Sequence, residues 1–356
     1  MLNPQQHPRP MRSDRLPLHR LSCAIALAAV LLGATGAGAE IFKKEDLLRG
    51  TTITHAQCDG TAQTMWLNVD GRDFCVRYYL STAGGEGARP VVILQGDQLG
   101  KFNFKSLTWI DTSDAKDVDT DDIVRTADMF SKMTKTTTIY LGRIGVDGTS
   151  GNHMMRGSQL ELDLTGAALD TLKRRYGFEG FHLAGQSGGS KLVAGLSGLR
   201  RDIGCAVMGS PPLLTPDARK SSDQGRTAFE PSVSQLVQNR SVRLFAISDK
   251  ADKRVPVGQQ SGFIDKLHRA GRPLPQFFVE ATDDLRHGVL AYTELVTAGC
   301  VLDRPQEEIA HALATLGKRN ADYNERKRKE AGAKASIVAA ARAPAPDASA
   351  ATAGKK

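Results

Sequence analysis

The chain has 356 residues, a net charge of +8, and is 40% hydrophobic and 6% aromatic. That length and composition exclude a wholly disordered or collagen-like chain and leave room for one large buried core. The charge sits at the ends: residues 1–39 hold four Arg and one Asp, and residues 318–356 hold ten Lys or Arg against four acids. The stretch 40–317 therefore carries about −1 and gives no support to nucleic-acid binding.

From the N-terminus, an arginine-bearing polar stretch precedes the apolar run 21–32, and Ala37-Gly38-Ala39 supplies the small residues of a cleavage site. This order predicts a secretory leader over 1–39, removed near Ala39, and a secreted or periplasmic protein. The run is shorter than the roughly twenty residues a bilayer span needs, and no other run is long enough, so no transmembrane span is expected. Residues 40–317 are expected as one α/β domain. Residues 318–356 read as a basic Ala/Pro/Lys-rich tail, helical and then disordered. Cysteine usage agrees with export: Cys58, Cys75, Cys205 and Cys300 form an even set once Cys23 leaves with the leader. Of three possible pairings, Cys58 with Cys75 is favoured because the two flank a hairpin-like stretch, 63–69 and 74–80. Cys205 with Cys300 then follows.

Apolar runs near Val91, Ile139, Phe181, Val207, Phe245 and Phe278 read as strands buried on both faces. Helical stretches, among them 160–176, 191–199 and 259–270, fall between them. Such alternation predicts a mostly parallel sheet with helices on both sides, the hairpin forming an antiparallel edge. Between Met208 and Val242 there is room for a small cap or none. The polar insertion 97–122, with Phe102 and Trp109, is the other candidate pocket wall.

The chemistry is carried by Gly185-Gln186-Ser187-Gly188-Gly189, which follows the run 181–184 and leads into a helix. A G-x-S-x-G turn between strand and helix exposes a serine hydroxyl where a nucleophile is useful. The alternative, a phosphate-binding loop, would want a Lys followed by Ser or Thr, and Lys191 precedes Leu192. A serine hydroxyl needs a base oriented by a carboxylate. Two acids, Asp249 and Asp252, follow the strand near Phe245, one of them expected as a solvated turn residue. His287, before Gly288, follows the last strand. Serine, acid and histidine thus all lie past strand C-termini, where open α/β sheets place their sites. The backbone N–H groups of Gly188 and, by position after the strand at Val91, Asp97 are the expected oxyanion donors. Gln98, His153 and Arg156 are candidate substrate contacts, with a solvated-loop reading open for His153 and Arg156.

The segment 246–271, with its D-x-x-V-P at Asp252 to Pro256, and the D-x-x-H-G ending at His287-Gly288 resemble the C-terminal part of α/β-hydrolase-fold enzymes. The nearest likeness is to prolyl oligopeptidase and dipeptidyl-peptidase catalytic domains, with Gln95-Gly96 standing where that family has His-Gly. The glycine-rich segment 140–151 resembles the loop after the fourth strand of the same superfamily. The resemblance implies the α/β-hydrolase fold, with Ser187 as nucleophile, Asp252 as acid and His287 as base. It implies a serine hydrolase that cleaves an ester or a peptide bond through an acyl-enzyme, with a small-molecule or peptide substrate and no metal or organic cofactor. An acyltransferase using the same triad and a non-catalytic binding protein on the same fold are the alternatives.

Overall fold

Local chemistry sets the first edge of the sheet. Strands β1 (Thr64–Val69) and β2 (Arg72–Ser81) are joined by Asp70-Gly71, both at positive φ, 53° and 71°, the two-residue turn whose twist suits a hairpin. The computed structural model describes residues 40–98, 101–103, 108–111, 115–214 and 228–342. The expected leader and residues 343–356 of the expected tail lie outside the described residues, as do the side chains of Phe102 and Trp109.

The apolar runs form β3 (Val91–Leu94), β4 (Thr138–Leu141), β5 (Phe181–Gln186), β6 (Ile203–Gly209), β7 (Arg243–Ser248) and β8 (Gln276–Phe278). The eight strands lie in the order β1-β2-β4-β3-β5-β6-β7-β8. The pairs β1-β2 and β2-β4 are antiparallel; the pairs from β4 to β8 are parallel. Six helices are relevant to the layers: α1 (Thr120–Thr134), α2 (Gln159–Tyr176), α3 (Gly188–Leu199), α4 (Val257–Arg269), α5 (Leu290–Val301) and α6 (Gln306–Arg342). This strand order and these crossovers are the α/β-hydrolase fold.

Period-two alternation along the strands splits the core into two layers. Val92 and Leu94 face Leu169 of α2, Val193 of α3 and Ile264 of α4, whereas Val91 and Ile93 face Ile123, Ala127 and Phe130 of α1. Farther along the second face, Val207 and Phe245 pack against Tyr292 and Val296 of α5 and Ile309 of α6. α6 continues unbroken through 317 and 318, where the sequence predicts a domain boundary; its first turns are held to the domain by Ile309 and Leu313. Between β6 and β7 the described residues hold one short helix, Val233–Gln238, and residues 215–227 lie outside them.

Both expected disulfides are formed. Cys58–Cys75 ties the helix His55–Asp59 to β2, and Cys205–Cys300 ties α5 to β6. With separations of 17 and 95 residues, chain entropy alone assigns them roughly 3 and somewhat under 5 kcal/mol. No helix among the described residues is long and apolar enough to cross a membrane.

One buried group works against the fold. Glu294 of α5 is 5% exposed, and its Oε1 has no hydrogen-bond partner among the described residues. It shares a face with Leu290 and Val301, which pack against the α1 layer. Burial pushes its carboxyl up to about 7. A folded value above the unfolded one means the stabilisation is fully present below about pH 4.5 and is lost as pH rises through about 7. Glu294→Gln is therefore expected to stabilise the protein by up to about 3 kcal/mol at pH 8 and to change nothing near pH 4. Urea midpoints at the two pH values read this directly; an equal shift at both would remove ionisation as the cause.

Candidate active site

The turn after β5 holds Ser187 at φ 51° and ψ −121°, a conformation that costs a non-glycine residue on the order of 1–3 kcal/mol. Hydrogen bonds on both sides fix it. Ser187 N–H donates to the carbonyl of Gly209 at 2.7 Å, and Ser190 Oγ donates to the carbonyls of Gly185 and Gly209 at 2.7 and 2.8 Å. A Cβ at Gly189 would stand 2.0 Å from the Leu94 carbonyl oxygen, so the close approach of α3 to β3 requires glycine there. The Ser187 side chain makes no capping bond to the helix that starts at Gly188, which leaves its Oγ unspent on structure.

His287 is fixed just as firmly. His287 Nδ1 lies 2.8 Å from Asp252 Oδ2. Asp252 Oδ1 accepts the backbone N–H groups of Arg254 and Val255, both at 2.9 Å, and Oδ2 also accepts from Gln260 Nε2 at 3.2 Å. A carboxylate so placed assigns the proton to Nδ1 and leaves Nε2 as the basic end of the ring. Nε2 is buried and has no hydrogen-bond partner among the described residues. No bond joins it to Ser187 Oγ, an arrangement that in serine enzymes commonly tightens only with substrate in place. The His287 carbonyl accepts from Gln186 Nε2 at 2.8 Å and from Ser210 Oγ at 3.0 Å. The residue before the serine thus holds the loop that carries the histidine. Ser187 and His287 line one cleft of about 500 Å³, together with Gln95, Gly96, Gln98 and Arg254.

Asp249 is not the solvated turn residue the sequence suggests. Its side chain is 1% exposed. Its oxygens accept from Arg286 Nε at 2.7 Å, Arg286 Nη2 at 3.2 Å and the N–H groups of Ala251 and Ala281, each at 2.7 Å. Burial alone would raise its carboxyl, but Arg286 and the two amides hold it below the usual carboxylate range. Asp252 is buried as well, so neither acid is solvated. Asp249 clamps the loop before His287, and Asp283 Oδ1 completes the clamp by accepting the N–H groups of His287 and Gly288 at 3.0 and 2.7 Å. A carboxylate is legible near this position in the sequence, but which of Asp283 and Asp284 caps the loop is not.

Two candidate substrate contacts must be corrected. His153 is fully buried; its Nδ1 lies 2.9 Å from the Ile144 carbonyl oxygen, and burial, Arg156 and Arg143 together push its value down to about 3. Arg156 is spent on Asp97, with Nε 3.1 Å from Oδ2, and its Nη1 donates to the His153 carbonyl at 2.9 Å. Neither is solvated, and neither is among the described residues that line the cleft. Gln98 does line it, and its Nε2 donates to Asp147 Oδ1 at 3.0 Å.

Arg143, from the glycine-rich segment 140–151, is not among the residues expected from the sequence. Its Nη1 donates to the Gln95 carbonyl and to Asp97 Oδ1, each at 2.9 Å, while Nε and Nη2 grip Glu161 at 2.9 and 3.1 Å. It therefore braces the loop 95–98. Pairing of β3 with β5, Leu94 opposite Gly185, brings that loop beside the elbow, where a Cβ on Gly96 would stand 3.2 Å from Ser187 Cβ. A hydroxyl, an imidazole with its proton assigned, and a braced loop beside a helix N-terminus are together suited to attack on a carbonyl group.

No family model and no curated protein matches this chain. It is similar to the solved structure of Est1E from Butyrivibrio proteoclasticus with ferulic acid bound, at 14% identity, covering 67% of this chain and 97% of that one, with a TM-score of 0.46. It is also similar to the Pyrococcus furiosus esterase Pf2001, at 13% identity over 71% and 95% of the two chains, TM-score 0.47. A third similar structure is an alpha-beta serine hydrolase homologue from Coxiella burnetii, at 15% identity over 70% and 98%, TM-score 0.44.

Proposed function

We propose that the protein is an exported serine hydrolase that cleaves an ester or amide bond through an acyl-enzyme on Ser187. The observation that carries this reading is the 2.8 Å contact of His287 Nδ1 with a saturated Asp252, with Nε2 unspent in the cleft lined by Ser187. His287 Nε2 takes the Ser187 proton as Oγ attacks the substrate carbonyl. The N–H groups of Gly188 and Asp97 hold the oxyanion, Asp252 stabilises the imidazolium, and the proton passes to the leaving group. Water then attacks the acyl-enzyme, with His287 again as base. Asp97 suits its place because its carboxylate is paired with Arg143 and Arg156. The D-x-x-V-P segment, whose aspartate accepts the amides of Arg254 and Val255, supports the likeness to prolyl oligopeptidase-type catalytic domains. Export is supported by the leader-like N-terminus and the two disulfides.

Short-chain aryl esters and the matching anilides test the reading. The expected result is a rapid release of about one equivalent of phenol before steady turnover, the mark of a covalent intermediate. Hydroxylamine should intercept the acyl group. Failure of every ester and anilide to turn over would contradict it.

A further inference from the structure

Beside the nucleophile stands a carboxylate that a hydrolytic site has reason to avoid. A Cβ on Gly188 would fall 2.0 Å from Asp97 Oδ1, so a negative oxygen lies against the residue whose N–H faces the developing oxyanion. Left uncompensated, that charge would repel the transition state in a poorly screened site. Two guanidinium groups reach Asp97, but they are not equivalent. Arg143 is held by Glu161 through both Nε and Nη2, so its charge already has a carboxylate partner. Arg156, 6% exposed, puts Nε 3.1 Å from the other Asp97 oxygen.

Building on the serine-hydrolase reading above, we infer that Arg156 is a positioning and charge-compensating residue: it cancels the Asp97 carboxylate beside Gly188, so that the oxyanion forms next to a neutral pair. The four linked charges, Asp97 with its side chain 27% exposed and Arg143, Arg156 and Glu161 buried, sum to zero only with Arg156 present. Burial raises Asp97 toward the neutral form, and Arg143 and Arg156 outweigh it and keep the carboxylate ionised, so the acid cannot escape the problem by taking up a proton. A residue that acts on the transition state and touches no substrate should change kcat and leave KM almost alone.

The test is a cycle of variants, preceded by labelling of the unaltered protein with a fluorophosphonate. If Ser187 does not label, the hydrolase reading fails and the inference falls with it. With labelling established, Arg156→Gln is expected to lower kcat on the order of 10²-fold with KM within about 3-fold, and Arg156→Lys to lose under about 10-fold. Adding Asp97→Asn to Arg156→Gln removes the charge pair as a unit, which buried pairs tolerate better than the loss of one partner. The double variant should regain at least about 10-fold in kcat over Arg156→Gln. A double variant as slow as the single one, or a loss that falls on KM, would overturn the inference while the hydrolase reading stands. Should Arg156→Gln fail to fold, the double variant is compared with the unaltered protein: a kcat loss below about 30-fold supports charge compensation, and one beyond about 10³-fold overturns it.

Discussion

Asp252→Asn is expected to lower kcat on the order of 10⁴-fold. The reason lies in the donors around the carboxylate. The N–H groups of Arg254 and Val255 require an acceptor at Oδ1, so the amide that replaces Asp252 must turn its NH₂ toward His287 Nδ1. The imidazole then accepts at Nδ1 and carries its proton on Nε2, the end that has to receive the serine proton. Asp249→Asn makes the contrast. Asp249 touches Arg286 and two backbone amides and does not touch His287, so its loss loosens the loop. A loss of about 1–3 kcal/mol in stability with kcat within about 10-fold is expected. Steady-state kinetics beside thermal melts separate the two acids, and a reversal of the pattern would move the acid to Asp249.

Ser187→Ala is expected to cost about 10⁶-fold in kcat and almost nothing in stability. The residual rate comes from the oxyanion donors and from binding alone. Stability should hold because Oγ makes no capping bond and alanine meets the same strain at φ 51° as serine does. Melting within about a degree or two of the unaltered protein, with turnover abolished, is the expected pair of results. Turnover that survives the substitution would place the nucleophile elsewhere.

Much of this is legible in the sequence for a simple reason. Strands such as Val91–Leu94 are apolar on both faces, and the elbow glycine Gly185 is required by backbone atoms of Gly189 and Ser190 only a few residues on. Ser187, Asp252 and His287 each follow a strand, so chain order alone suggests their meeting. The helix Thr120–Thr134 is hard to see in the sequence because its apolar residues Ile123, Ala127 and Phe130 are spaced among charges inside a polar stretch. The network under the cleft is hidden for a different reason. Arg143 and Glu161 are 18 positions apart, and Arg143 and Asp97 are 46 apart, and only packing of the sheet puts them in one cluster. His153 and Arg156 stand in the neighbourhood that the sequence suggests but play a different part: Arg156 holds Asp97 of the loop, and His153 is bonded to the Ile144 carbonyl.

The central claim, that Ser187 is an activated nucleophile in the cleft shared with His287, is tested most directly by a fluorophosphonate probe on the intact protein. Only an activated serine should react quickly, and intact mass followed by peptide mapping locates the adduct. One adduct per chain on the peptide that carries Ser187, absent in Ser187→Ala and slowed in Asp252→Asn, is the predicted result. No adduct on the folded protein, or an adduct on another serine, would contradict it.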